Sequence, residues 1–290
     1  MQETVLGADV GGSHITAAVV DMEHHAVIPH SLVRRKIDPH ASASVITDAW
    51  TAALVAAEEA WGNKCNYLAV SMPGPFDYER GISLIKGMNK YDALYGMDIR
   101  QIFAACMQLP AKHVHFRNDA EAFLRGEASR CNEKDRIFGV TLGTGLGSAL
   151  FDQGEVKDLN LGSSAFLDGI AEDYISTRGI LSFYRSLGGN DIDDVKTLVA
   201  HLHHNTKAEQ AIKQLALWLV DFLSAHIAEL KPNVVIIGGN ISKAHRFFLP
   251  EVSRVLGERG VPVTIKVAEM GEQAAILGAA SFINPLKNNK

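Results

Sequence analysis

The chain has 290 residues, 47% of them hydrophobic and 21% charged, a balance that fits a globular protein long enough for two domains with substantial cores. Its net charge of −5 argues against a surface built for nucleic acid or anionic membrane. Cys65, Cys106 and Cys131 are too scattered for a zinc pattern and fit reduced thiols, the first ten residues hold Glu3 and Asp9 but no Lys or Arg, and no uninterrupted apolar run approaches the ~18 residues of a membrane span, so the expected location is the cytoplasm.

Thr4 to Ala8 reads as a strand that runs into Gly7-Ala8-Asp9-Val10-Gly11-Gly12-Ser13-His14, and Ile15 to Val20 reads as a second strand. Strand, glycine turn, strand is a hairpin, not the strand-to-helix turn of a dinucleotide fold. A third strand is expected over Val27 to Val33, giving an antiparallel meander. Ser44 to Trp61 carries Val45, Ala49, Ala53, Ala56 and Ala60 at helical spacing, with Gly62 placed for a left-handed stop. Tyr67 to Met72 is a strand entering Pro73-Gly74-Pro75, and Ile99 to Met107 is a short helix broken by Leu109-Pro110. Val114 and Phe116 then mark a strand that stops at Asn118-Asp119, where a helical pattern begins. Taken alone, that Asx pair is a helix cap.

Arg136 to Leu142 is the next strand, followed by Gly143-Thr144-Gly145-Leu146-Gly147-Ser148 and a strand over Ala149 to Phe151. Gly7 and Gly139, Gly11 and Gly143, and Ala17 and Ala149 each stand 132 residues apart, which points to a duplicated half. Helices are expected over Glu172 to Tyr184, Ile192 to His203 and Lys207 to Leu230, the last closed by Pro232. The strand Val234 to Ile237 enters Gly238-Gly239-Asn240. A helix over Phe247 to Leu256, a strand over Val263 to Val267 and a helix over Gln273 to Phe282 complete the chain. No linker rich in Pro, Ser or charge separates the halves. The expected division is a small domain over 1–112, joined by the C-terminal helix 273–290, and a large domain over 113–272.

Three glycine loops and one acid carry the chemistry. Glycine lets successive backbone amides converge on an anion, so two such hairpins suit a polyphosphate. Asp9, beside the first loop, suits a hydrated Mg²⁺ ion, which takes only one or two protein carboxylates. The third loop ends an apolar strand, where a flat nucleoside group can approach the backbone. There is no P-loop, the second loop has the wrong spacing for a dinucleotide fingerprint, and no protein-kinase triplet is present. His201, His203 and His204 read as a polar helix end, and Trp50, Trp61 and Trp218 as core.

With these motifs in chain order, the sequence resembles the ROK family of sugar kinases and sugar-responsive regulators, within the actin-like and hexokinase-like ATPases. Val5 to Ser13 resembles the family's first phosphate motif. Ser71 to Asp77 with Gly81 resembles its Pro-Gly-Pro sugar-side loop, Asn118-Asp119 its catalytic pair, Gly143 to Gly147 its second phosphate motif, and Gly238-Gly239-Asn240 its adenosine motif. The resemblance implies an α/β fold of two duplicated actin-like, ribonuclease H-like domains flanking a cleft. It implies transfer of the ATP γ-phosphate to a sugar hydroxyl, usually on C6, with Asp119 as general base. Pro73, Gly74, Asn89, Asn118, Asp119 and Glu172 would meet the sugar. Asp9, Gly11, Gly12, Ser13, His14, Gly143, Thr144, Gly145, Gly238, Gly239 and Asn240 would hold the nucleotide, Asp9 through Mg²⁺ and water. Homodimers are usual in the family. Regulators add an N-terminal helix-turn-helix, for which the start of the phosphate motif at Leu6 leaves no room; a non-catalytic sugar-binding protein is the other alternative.

The sequence also departs from the family pattern. The Gly-Glu-x-Gly-His run that usually follows the second phosphate loop is absent from Leu159 to Asp168, and no cysteine follows Cys131, so no zinc is expected. Glu172 matches the family's sugar-binding Glu, and also reads as an ordinary acid in a first helical turn. The missing Glu and His put glucose specificity in doubt and leave the reaction type untouched.

Overall fold

The computed structural model describes residues 3–88, 90–132, 134–261 and 263–283. The chain divides into two compact units, one of 1–130 with 272–290 and one of 131–271.

In the first unit β1 (Thr4–Val10), β2 (His14–Asp21), β3 (Ala26–Val27) and β4 (Val33–Lys36) precede α1 (Ala43–Trp61). Then come β5 (Leu68–Met72), β6 (Phe76–Asp77), β7 (Ile82–Ser83), α2 (Ile99–Met107), β8 (Val114–Asn118) and α3 (Asp119–Ala128). The second unit holds β9 (Ile137–Leu142), β10 (Leu146–Asp152), β11 (Glu155–Asp158), β12 (Ala165–Phe166) and β13 (Gly169–Ile170). It continues with α4 (Ala171–Tyr174), α5 (Thr177–Ser186), α6 (Val195–Ala200), α7 (Thr206–Leu230), β14 (Val234–Gly238), α8 (Leu249–Glu258) and β15 (Thr264–Val267). Finally α9 (Gln273–Ser281) belongs to the first unit.

The two main sheets have the same topology. One runs β3-β2-β1-β5-β8, with β4 also on β2, and the other β11-β10-β9-β14-β15. In each, the hairpin is antiparallel and the next two strands are parallel to its first strand. The repeat seen in the sequence is therefore a structural duplication. Its fixed offset fails in one place: Val10 faces Ile15 across the first tip, whereas Leu142 faces Leu146 across a tip one residue shorter. Ala18, not Ala17, pairs with Gly7 as Ala149 pairs with Gly139.

The expected boundary at residue 112 falls too early. Strand β8 pairs in parallel with β5 from Leu68↔Val114 to Met72↔Asn118, so this strand completes the first sheet and the helix after it belongs to the same unit. Other expectations also change. Val27 to Val33 is not one strand, because Pro29–Ser31 forms a 3₁₀ turn between β3 and β4; Pro29 has no N–H for a ladder. Glu172 to Tyr184 breaks at Ser176, whose hydroxyl caps α5 by accepting the Gly179 amide. The predicted helix over Ile192 to His203 shrinks to α6, started by Asp194 capping Thr197, plus a 3₁₀ turn at Leu202–His204. The loop after β14 opens a 3₁₀ run over Asn240–Phe247. Residues 284–290 of the predicted C-terminal helix lie outside the described residues.

In the first unit the side chains of Leu6, Ala8 and Val10 pack with Ile46, Trp50, Ala53 and Leu54 of α1. Strand alternation turns Gly7 and Asp9 to the other face, where Ile276 of α9 comes within 2.6 Å of a Cβ placed on Gly7. Helices α9 and α3 cross at near backbone contact, since a Cβ on Gly278 would overlap the Ala122 carbonyl and one on Gly126 the Ala274 carbonyl. Helix α7 is long and apolar enough to cross a membrane, but Ile212, Leu215, Leu219, Leu223 and Ile227 are buried in the core of its own unit.

In an ordinary helix interior, Gly→Ala gains about 1 kcal/mol. At Gly278 the sign should reverse, because the added methyl meets backbone that cannot swing aside. Gly278→Ala is expected to lose about 3 kcal/mol in urea unfolding, at the upper end of overpacking costs. An unchanged or raised midpoint would contradict the packing described here.

Candidate active site

The first unit gathers its candidate site residues at the carboxyl ends of three adjacent parallel strands. Asp9 of β1 pairs with Ser71 of β5, and Met72 pairs with Asn118 of β8. The Ser71 hydroxyl donates to Asp9 Oδ1 at 2.7 Å. Asn118 caps α3: its Oδ1 accepts the amides of Ala120 at 2.8 Å and Glu121 at 3.1 Å. With the oxygen committed, its Nδ2 donates to the Tyr78 hydroxyl at 3.2 Å, which in turn donates to the Met72 carbonyl at 3.1 Å. Asp119 Oδ1 accepts the Ala120 amide at 2.9 Å, which fixes the carboxylate at the start of α3. Pro73 and Gly74 follow β5 directly, and a Cβ on Gly74 would come 3.2 Å from the Tyr78 hydroxyl. Asn89 lies outside the described residues.

The first hairpin tip, Gly11 to Ser13, is closed by the Gly11 amide donating to the His14 carbonyl at 2.8 Å. The His14 ring lies against Gly11, 3.0 Å from where a Cβ would sit. Burial pushes the Asp9 carboxyl up to about 7; Ser71 and Arg34 oppose the shift, while Asp119 and Glu272 add to it. Glu272 accepts from Thr16 Oγ1 at 3.1 Å and pairs with Arg34 at 2.6 Å. A desolvated carboxylate beside two others is the electrostatic setting that a divalent cation relieves, so the residues present fit Mg²⁺ at Asp9.

In the second unit the tip Gly143-Thr144-Gly145 is held by partners outside the hairpin. The Gly143 carbonyl accepts from the Thr177 amide at 2.8 Å and its hydroxyl at 3.0 Å. Glu172 Oε2 accepts the Leu146 amide at 2.9 Å, directly behind Gly145. In this structure Glu172 braces the second glycine loop. Gly238 ends β14 opposite Thr141, so the third loop lies beside the second. Gly239, at φ +83, packs so closely on the Leu142 backbone that no side chain fits. Asn240 Oδ1 accepts from Lys243 at 3.0 Å.

Sequence reasoning missed Ser71, Tyr78, Tyr91, Thr177, Arg34 and Glu272. Only Ser71 left a signal, as a polar residue ending an apolar strand just before Pro73. Tyr78 lies close in sequence to Pro73 and Gly74 but carries no distinguishing pattern, and the others reach the site across long sequence separations that no local pattern records.

A hairpin followed by two parallel strands, made twice, with polar groups at the strand ends, defines the two-domain class of actin-like ATPase folds. The ROK family model matches residues 5–162 and 168–285, and the chain belongs to that family. The N-acetyl-D-glucosamine kinase of Photobacterium profundum is 26% identical over 250 residues, covering 75% of this chain and 80% of the relative. The glucokinase of Thermotoga maritima is 24% identical over 318 residues, covering 96% of each. A ROK family glucokinase from Streptomyces griseus, solved with glucose and AMPPNP, has a TM-score of 0.80 at 23% identity and covers 96% of this chain and 98% of its own. A ROK family transcriptional regulator, a homologue of the E. coli MLC protein, has a TM-score of 0.76 at 18% identity and covers 96% of this chain and 76% of its own. The shared structure therefore carries the fold and does not choose between those activities.

The burial of Asp9 has a testable sign. Its folded value of about 7 lies above the 3.8 of an exposed carboxyl, so the penalty is absent when both states are protonated and grows as pH rises from 4 to 7. Without divalent ions, Asp9→Asn should stabilise the protein at pH 8 by up to about 4 kcal/mol, with the gain shrinking toward pH 5. Urea unfolding at several pH values measures it, and a gain independent of pH would contradict this electrostatic account.

Proposed function

We propose that the protein is an ATP-dependent sugar kinase that transfers the γ-phosphoryl group to a hydroxyl, in the first instance the C6 hydroxyl, of a hexose or amino sugar. The observation that carries this reading is the register of Asp9, Ser71 and Asn118 at the ends of three neighbouring strands, with Asp119 next in the chain. Phosphoryl transfer asks a protein mainly to position groups and to neutralise charge; these residues serve the first need, and Mg²⁺ at Asp9 would serve the second.

Asp119 accepts the proton of the attacking hydroxyl, whose oxygen then bonds to the γ-phosphorus as the bond to the bridging oxygen breaks and ADP leaves. Asn118, its Oδ1 held by the helix amides, keeps an amide hydrogen for a neighbouring sugar hydroxyl. Pro73 and Gly74 form the sugar-side loop, and Asn89 and Glu172 are assigned to the sugar by family resemblance. The Gly11 to His14 and Gly143 to Gly145 tips receive the phosphates, and Gly238-Gly239-Asn240 the adenosine. Asp9 would hold Mg²⁺ through water, and the ion supplies charge neutralisation on the phosphates. The named sugars of the relatives, N-acetyl-D-glucosamine and glucose, set the substrate panel.

Replacing Asp119 by Asn tests the mechanism. Sugar-dependent ADP formation should fall by about 10²–10⁴-fold while ATP affinity and the unfolding midpoint stay near wild type. Turnover close to wild type would remove Asp119 from the reaction. A wild-type protein that binds sugars in the panel but forms no ADP with any of them would favour a sugar-responsive regulator or a non-catalytic binding protein.

A further inference from the structure

A backbone amide binds an anion only when it points at it, and a glycine-rich tip leaves that direction loose. The peptide group is planar and trans, so a carbonyl and the N–H that follows it point opposite ways. Fixing the carbonyl therefore fixes the next amide. Both hairpin tips have such a fixed carbonyl at the same place in the repeat. In the first, the Tyr91 hydroxyl donates to the Gly11 carbonyl at 2.5 Å. In the second, Thr177 donates its amide and hydroxyl to the Gly143 carbonyl at 2.8 and 3.0 Å.

The two restraints share no sequence. Tyr91 comes from the segment between β7 and α2, and Thr177 starts α5. Tyr91 is fully buried, with its ring edge-on to Trp50 at 5.2 Å, and sits at φ +56, a strained backbone for a residue with a Cβ. Its amide donates to the Pro39 carbonyl at 2.8 Å, so the ring is anchored at both ends. Gly11 closes on His14, Gly143 closes on Gly145 at 3.0 Å, and the Leu146 amide, just past the second tip, donates to Glu172. The amides of Gly12 and Thr144, next after the held carbonyls, make no hydrogen bond among the described residues.

We infer that Tyr91 and Thr177 are positioning residues, each holding one carbonyl so that the Gly12 and Thr144 amides are aimed outward as preset donors to phosphate oxygens. This rests on the reading of the tips as the sites for the phosphates of ATP. Neither side chain touches the anion. Each removes the freedom of a glycine peptide that would otherwise have to be ordered on binding.

Tyr91→Phe keeps the ring and its contact with Trp50, and Thr177→Val keeps the shape and the backbone amide. Each should weaken MgATP binding by about tenfold in calorimetry, the scale of one charge-assisted hydrogen bond, and leave adenosine affinity within about twofold. A purely structural role would weaken both ligands together and lower the unfolding midpoint in step. Unchanged MgATP affinity in both variants, or equal losses for MgATP and adenosine, would overturn the inference. A titration of the wild-type protein with inorganic pyrophosphate, read at the amide resonances of Gly12 and Thr144, keeps it separable from the kinase reading. Shifts at both amides without any sugar phosphorylation would sink the kinase and leave the inference standing, whereas no shift at either amide would sink the inference.

Discussion

Everything assigned to the first unit depends on the pairing of three parallel strands. Register decides which residues end side by side, and a slip of one residue in β5 would turn Ser71 away from Asp9 and carry Asn118 out of line. Adjacent strands lie ~4.8 Å apart, so the arrangement sets a carboxylate, a hydroxyl and an amide at neighbouring points along one edge. The apolar side chains of Leu6, Ala8, Leu68, Val70, Val114 and Phe116 hold that register by burying the face opposite Asp9 and Ser71, and Asn118 stands at the strand end where α3 begins. Close packing of α3 against α9, which only glycine permits at Gly126 and Gly278, fixes the helix that Asn118 caps.

The duplication divides the chemistry rather than repeating it. At the position paired with Ser71 the first unit has Asp9; at the matching position of the second, Thr141 is paired with Gly238. One copy carries a half-buried acid and a hydroxyl, and the other a threonine and a glycine that leaves its strand end bare. Desolvation holds the Asp9 carboxyl well above the usual carboxylate range, at a cost to the free protein. Functional sites commonly keep strain of this kind because it is relieved when the ligand binds.

Much of the architecture was legible because the relevant signals are local. Glycine turns, apolar strand ends and the Asn118 cap each lie within a few residues, and the repeat spacing joins the halves without any knowledge of the fold. The boundary was not legible, because β8 joins the first sheet through partners more than forty residues earlier in the chain. The helices over 172–184 and 192–203 were drawn too long because apolar spacing continues through Ser176 and Asp194, whose caps interrupt the chain. Tyr91 and Thr177 were invisible for a different reason. Their partners are backbone carbonyls, which carry no sequence signature.

The account stands on the claim that the three strand ends form a phosphoryl-transfer site acting on a sugar hydroxyl. Phosphorus NMR of the wild-type protein with MgATP and each sugar of the panel reads that claim directly. A new phosphomonoester resonance, growing in equal amount with ADP and only when an accepted sugar is present, is the predicted result. ADP and inorganic phosphate released without sugar phosphate, or an ATP spectrum unchanged with every sugar, would contradict it.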